Sequence, residues 1–335
     1  MSIDWQRFKD VVSQARNIVL TSHIRPDCDA LGSELGMAGL LRQLGKSVRI
    51  VNGQSTPPNL QFLDPERKIL AIDVDLTREE LADCDLVIIL DTSAWIQLGA
   101  VGDWIKESGV KRIVVDHHQG EDDLDAELFK ERSAEATGAI LTRGAVPLGC
   151  KLTADIVNPL YAAIATDTGW FRFPSAKAEC YRTAAALIEA GADPSWVYSQ
   201  IHEQETVGRI RLRGVVLGRV QTELAGRLVH TWIKYDDFAQ TGALPSDTED
   251  LINLALSIRG TEFAVIFVEQ KSGGVKVSLR SRCALNCNEI AGQFGGGGHK
   301  AAAGAFQDKS LADVQATVLE YVRAQVDGLC PAASH

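Results

Sequence analysis

The run Leu86–Leu90, LVIIL, constrains the fold of this chain more than any other segment. Its consecutive apolar residues, mostly β-branched, leave no polar face, and a strand of that kind must be covered on both sides. Arg112–Val115 (RIVV), Ile18–Thr21 and Ser47–Val51 read as further strands. Leu31, Leu35, Ala38, Leu41 and Leu44 form a helical stripe that stops at Gly45. Strands alternating with helices define the α/β class, here a mainly parallel N-terminal sheet flanked by helices.

The chain is long enough for two domains: 335 residues, 45% apolar and 23% charged, which excludes a disordered or fibrous protein. Ala178–Ala190 reads as a helix closing at Gly191, and Asp193-Pro194 pairs an N-cap with proline at the first helical position, starting a helix through about Thr206. The domain connection is expected there. The resulting division is a first domain at 1–190, a helical linker at 191–213 and a smaller α/β domain at 214–330. The latter should hold a strand at Leu228–Ile233, a helix over about Asp247–Ile258, and a hairpin of Phe263–Val268 with Val275–Arg280. Leu311–Val326 reads as a closing amphipathic helix.

No apolar run approaches the roughly 20 residues of a membrane helix, and no basic segment precedes an apolar one near Met1. A cytoplasmic protein without a membrane partner is expected. Seven cysteines, an odd number without a Cys-x-x-Cys pair, fit a reducing compartment, and Cys283 and Cys287 read as small core or surface residues. The net charge of −10 argues against gripping long duplex DNA. Its acidic excess lies mainly before residue 190, as a site for several cations would need, although a solvated acidic surface is the commoner cause of such an excess.

The chemistry collects where strands end. Ile18–Thr21 runs into His23-Ile24-Arg25-Pro26-Asp27-Cys28-Asp29-Ala30-Leu31-Gly32-Ser33, LVIIL into Asp91-Thr92-Ser93, and RIVV into Asp116-His117-His118. Open α/β sheets bind ligands at that edge. Tyr161–Ala165 delivers Thr166-Asp167-Thr168-Gly169, where a capping role for Asp167 is the plainer alternative. Together, two histidines and four aspartates make a nitrogen and oxygen donor set suited to a pair of divalent ions, manganese or magnesium rather than zinc. Such a pair stabilises attacking and leaving oxygens in phosphoester displacement.

These motifs, in this order, resemble the DHH phosphoesterases, a family named for the run seen here as Asp116-His117-His118. The C-terminal segments Ser278-Leu279-Arg280-Ser281 and Gly295-Gly296-Gly297-Gly298-His299 resemble the DHH-associated domain of its oligoribonuclease and 3′,5′-bisphosphate nucleotidase branch. The resemblance implies that His23, Asp27 and Asp91 hold one ion, that Asp29, Asp91, His117 and Asp167 hold the other, and that Asp91 bridges. It also implies that His118 faces the scissile phosphate while Asp116 orients a histidine. Arg25 and Cys28 depart from the family pattern; a thiol between two ligand carboxylates raises oxidation sensitivity or an altered metal preference.

In the second domain, Lys276, Ser278 and Arg280 alternate with apolar residues and share the non-core strand face. Gly295–Gly298 is expected as a loop, flanked by helices, whose backbone N–H groups approach an anion beside His299. The expected active site lies in a cleft between the domains, with Ser278, Arg280, the glycines and His299 binding substrate. The implied function is a manganese-dependent phosphoesterase that degrades short single-stranded RNA to mononucleotides and dephosphorylates adenosine 3′,5′-bisphosphate. A homodimer is compatible with it. Two alternatives are a phosphodiesterase for cyclic or linear di-adenosine nucleotides and, on a degenerate scaffold, a noncatalytic nucleotide sensor.

Overall fold

The computed structural model describes residues 3–120, 122–248 and 250–328, so Met1, Ser2, Glu121, Glu249 and the last residues, including Cys330 and the expected end of the second domain, lie outside the description. Two compact units divide between Gln204 and Glu205.

The first unit contains α1 (Trp5–Ser13), β1 (Asn17–Thr21), α2 (Cys28–Gln43), β2 (Ser47–Asn52), β3 (Ile69–Ala71), β4 (Leu86–Leu90), α3 (Ala100–Ser108), β5 (Arg112–Asp116), β6 (Glu127–Lys130), α4 (Thr137–Leu148), α5 (Ala154–Asp167), α6 (Ala178–Glu189) and α7 (Pro194–His202). Its strands pair in the order β3-β2-β1-β4-β5-β6, all parallel. The centre alternates as its sequence requires. Leu86, Ile88 and Leu90 enter one apolar core with Ile18, Leu20, Ile113 and Val115, while Val87 and Ile89 enter another with Val19 and Val114. The order reverses between β1 and β4, the switch point at which sheets of this kind open a crevice beyond their carboxyl ends.

One close helix contact positions the site. A Cβ at Gly32 would stand 2.3 Å from the Pro159 carbonyl oxygen, and one at Gly39 would stand 2.2 Å from Ile156 Cγ2. Only glycine lets α2 lie this close to α5, and the antiparallel pairing carries the end of α5 to the start of α2. The helix is buried on nearly all its faces rather than along the single expected stripe. Asp193 caps α7 as expected, accepting from Trp196 N–H at 3.0 Å. The helix stops at His202 rather than continuing to about Thr206, because Thr206 is extended and caps the next helix through Arg209 N–H.

The second unit contains α8 (Val207–Gly218), β7 (Gln221–Glu223), β8 (Leu228–Ile233), α9 (Tyr235–Thr241), α10 (Leu251–Leu256), β9 (Phe263–Glu269), β10 (Val275–Ser281), α11 (Cys287–Gly292), β11 (Gly297–Gly298), β12 (Ala302–Gln307) and α12 (Leu311–Asp327). Its sheet runs β11-β12-β10-β9-β8-β7, antiparallel except for β8 with β9. Val275, Val277 and Leu279 pack with Val314, Val318 and Val322 of the closing helix. The helix expected over about Asp247–Ile258 is only Leu251–Leu256, since Asp250 takes a left-handed φ of 63° that interrupts helical geometry. Among the described residues, no helix is long and apolar enough to cross a membrane.

Candidate metal centre

Three segments reach the site from strand ends at the switch point: His23 after β1, Asp91 after β4, and Asp116, His117 and His118 at the end of β5. Asp27 and Asp29 open α2. Asp167 arrives differently from the expectation of a shared strand edge: it is the last residue of α5, brought in by the close approach of α5 to α2. Among the described residues, ligand atoms form three groups, each within a 4.8 Å span: His23, Asp27 and Asp91; Asp29, His117 and Asp167; and Asp91, His117 and His118.

The distances divide the site around Asp91. Its Oδ2 lies 3.4 Å from His23 Nε2, and its Oδ1 lies 3.5 Å from His117 Nε2. His117 Nε2 is also 3.7 Å from Asp29 Oδ2 and 3.6 Å from Asp167 Oδ2, while His23 Nε2 is 4.0 Å from Asp27 Oδ1. Asp91 is buried and holds a left-handed φ of 59°, a conformation uncommon outside glycine.

Hydrogen bonds aim His23, His117, Asp27, Asp29 and Asp91. His23 Nδ1 lies 3.0 Å from the Ile24 carbonyl and His117 Nδ1 3.2 Å from the Ala134 carbonyl, so in both rings Nδ1–H donates to backbone and Nε2 faces the carboxylates. Asp27 caps α2, accepting from the N–H groups of Asp29 and Ala30, so its plain capping role and its place in the site coexist. Asp29 accepts from Ser33 Oγ at 3.2 Å and from the N–H groups of Thr137 and Gly138, both at 2.8 Å, at the start of α4. Thr137 also donates its hydroxyl to Asp91 Oδ1 at 3.0 Å. Neither Thr137 nor Gly138 stands out in the sequence. The available signal was a small hydroxyl residue and a glycine at a helix start, too common to single out.

His118 is held apart from the other two histidines. Its Nδ1 lies 2.8 Å from Asp116 Oδ1 and 3.7 Å from Asp91 Oδ1, and just over half of its side chain is exposed. Asp116 is fully buried; burial raises its carboxyl, but bonds from His118, Lys130 and Ser93 outweigh that and hold it well below the usual carboxylate range.

The electrostatics fit a pair of divalent cations. Burial first, then the charges of Asp91 and Asp167, push the Asp29 carboxyl well above its ordinary range. Burial lowers the imidazoles of His23 and His117, yet Asp91 and neighbouring groups lift both to about 9. A buried crowd of carboxylates thus draws positive charge to itself. Cations would supply that charge through nitrogen and oxygen donors, and no thiolate competes, since burial pushes the Cys28 thiol up to about 12.

The second unit places the remaining candidates on its own sheet. Ser278 and Arg280, with Lys276, line a cavity of about 230 Å³ together with Thr248, Asp250 and Ile266. Arg280 pairs in register with Ala302, and Gly298 with Ala303, so Arg280 and His299 lie toward one end of the sheet. The glycine run departs from the anion-cradle expectation. It is followed by strand β12 rather than a helix, and the N–H groups of Gly295, Gly296, Gly298 and His299 donate to Gly292, Ala291, Asn288 and Ala302. Close packing requires glycine at two of these positions: a Cβ at Gly296 would stand 2.1 Å from the Gly304 carbonyl oxygen, and one at Gly298 2.6 Å from Ala303 Cα.

Comparison with known proteins agrees with this arrangement. Residues 17–164 match the DHH family, N-terminal domain, and residues 226–325 match the DHHA1 domain. The chain is 31% identical to the bifunctional oligoribonuclease and PAP phosphatase NrnA of Thermus thermophilus, over 92% of this chain and 90% of the relative. Identity to the protein of the same name from Bacillus subtilis is 28%, over 92% and 97%. The fold is similar to that of an exopolyphosphatase-related protein from Bacteroides fragilis, at a TM-score of 0.78, 24% identity, and 96% and 97% coverage.

Proposed function

This chain belongs to the DHH family, and from that premise we propose that it is a phosphoesterase that hydrolyses short single-stranded RNA to mononucleotides and removes phosphate from adenosine 3′,5′-bisphosphate. The observation that carries the reading is the sharing of Asp91 between the His23 group and the His117 group. His23, Asp27 and Asp91 would hold one cation, and Asp29, Asp91, His117 and Asp167 a second. Bound together, the two cations would supply the positive charge that stabilises the attacking and leaving oxygens of a phosphoester. Mixed imidazole and carboxylate donors favour manganese, with magnesium as the weaker substitute.

The protein's own groups do the rest. His118, as an imidazolium whose Nδ1–H is given to Asp116, would present its Nε2–H to the leaving oxygen as a proton donor. Ser278, Arg280 and His299 would recognise the remote part of the substrate, a task that falls to the second unit, within the expected bounds 214–330. His299 serves through its exposed ring, since its loop amides are bonded internally. Both substrate types present a terminal phosphate close to a scissile one, so one site serves both. A cytoplasmic setting, where such fragments occur, goes with this reading.

The test is side-by-side turnover of short RNAs, adenosine 3′,5′-bisphosphate and cyclic di-adenosine monophosphate with Mn²⁺ and with Mg²⁺. We expect mononucleotides from the RNAs, phosphate from the bisphosphate, and faster turnover with Mn²⁺. Preferential cleavage of the cyclic dinucleotide would replace the proposal with the signalling-nucleotide alternative, and binding without turnover would replace it with a sensor.

A further inference from the structure

Lys130 closes the edge strand β6, where a lysine ordinarily faces solvent and protects the sheet edge. Here its side chain is only 7% exposed. The ammonium lies 2.9 Å from Asp116 Oδ2, 2.7 Å from Ser93 Oγ and 2.8 Å from the Gly120 carbonyl oxygen, which engages its three N–H donors. These partners come from three segments: the turn after Asp91, the end of β5, and the turn after His118. Parallel pairing sets Lys130 directly beside Asp116.

Counting donors around Asp116 fixes its state. Oδ1 faces the His118 N–H at 3.0 Å and His118 Nδ1 at 2.8 Å, and Oδ2 faces Lys130 Nζ and, at 2.8 Å, Ser93 Oγ. The ammonium and the backbone N–H only donate, so each carboxylate oxygen must accept. Asp116 is therefore an ionised acceptor, and His118 Nδ1 carries the proton. The other ring nitrogen, Nε2, is the one left to face substrate.

We propose that Lys130 is a positioning residue for the hydrolysis: it anchors the Asp116 carboxylate that orients His118 as the proton donor to the leaving oxygen. The inference rests on the phosphoesterase reading above. In the step it serves, His118 starts as the imidazolium with a proton on each ring nitrogen; water adds to phosphorus, the bond from phosphorus to the leaving ribose oxygen breaks, and His118 hands its Nε2 proton to that oxygen while keeping the Nδ1 proton that it donates to Asp116. The proton lost from the attacking water restores the balance. Without Lys130, Asp116 loses one of its two Oδ2 partners and, of the donors Lys130 Nζ and Ser93 Oγ, the Gly120 carbonyl keeps only the latter, at 2.9 Å, so the imidazole is less firmly held in one orientation.

The experiment compares wild type with Lys130→Met on two substrates that share a nucleotide end: an RNA dinucleotide, and the p-nitrophenyl ester of a nucleoside monophosphate, whose phenolate leaves without a proton. Loss of a group supporting a site residue typically costs about 10–100-fold, and we expect that loss in kcat on the dinucleotide. KM should stay within about threefold, and the loss on the nitrophenyl ester should be roughly threefold at most. Thermal unfolding and Mn²⁺ titration check that the variant is folded and loaded. If it does not fold, Ser93→Ala keeps the ammonium, removes one Asp116 partner, and should show a smaller loss with the same dependence on leaving group. Equal losses on both substrates, a change confined to KM, or unchanged turnover overturns the assignment while leaving the phosphoesterase reading intact. A wild-type protein inactive on both substrates overturns the phosphoesterase reading and this inference with it.

Discussion

Replacing Thr137 with valine tests the support of the shared carboxylate through a single contact. The two side chains are nearly isosteric and Thr137 is fully buried. The change removes the hydroxyl that donates to Asp91 Oδ1 at 3.0 Å but keeps the backbone N–H that donates to Asp29 Oδ2 at 2.8 Å. Asp91 Oδ1 then has only His117 at 3.5 Å and His118 at 3.7 Å nearby, both long for a hydrogen bond. A hydrogen bond to an ionised group contributes about 1.5–3 kcal/mol. At about 1.4 kcal/mol per factor of ten, its loss should weaken the metal site roughly 10- to 100-fold. Thr137→Ser keeps the hydroxyl and should bind within about threefold of wild type, a difference of about 0.6 kcal/mol. Competition between the metal-free protein and a fluorescent Mn²⁺ chelator reads the affinities, with thermal unfolding as the control for integrity. Wild-type affinity in the valine variant would refute the dependence of Asp91 on Thr137. Equal weakening in serine and valine would show that the effect is not specific to the hydroxyl, and weakening in serine alone would assign it to the methyl packing that only serine loses.

Asp91→Asn should lose both cations and all turnover, whereas His23→Ala should lose mainly one cation, because only Asp91 joins the His23 group to the His117 group through opposite oxygens; metal analysis by mass spectrometry decides, and an Asp91→Asn protein that retains two ions refutes the bridge. His23 and His117, lifted from 6.5 to about 9, must shed protons to act as ligands, so cation binding between those values should release protons and weaken as pH falls. Calorimetry in buffers of different ionisation enthalpy measures that release, and none at all would exclude these imidazoles as ligands. In the metal-free protein the same raised values favour folding fully below pH 6.5 and lose that contribution as pH rises through about 9, which a series of denaturant melts would reveal. Arg280→Ala and His299→Ala should each lower kcat/KM on a dinucleotide by roughly 10- to 100-fold, with unchanged metal affinity and nearly normal hydrolysis of a minimal activated phosphodiester; equal losses on both compounds would place their effect elsewhere.

The sequence by itself determined the central strands, because an apolar run such as LVIIL has no polar face to offer water and is stable only where both faces are covered; Ile88 and Ile89 enter opposite cores as that pattern demands. It also determined that His23, Asp91, Asp116, His117 and His118 share one edge, since a strand that ends in Asp or His carries that residue to the sheet edge whatever the rest of the chain does. The edge strands β3 and β6 were not legible: they are short and partly polar, and pairing with a neighbour, rather than periodicity, makes them strands. Only the tertiary structure decided how the ligands are held. Asp29 meets Thr137 and Gly138 more than a hundred positions later, Asp167 is delivered by a glycine-lined helix contact, and Lys130 turns inward onto Asp116. The glycines of Gly295–Gly298 commit most of their amides to their own unit. Hydrogen bonds between distant segments leave no period and no local motif, so the chemistry of the site was written in the residues and its geometry in the packing.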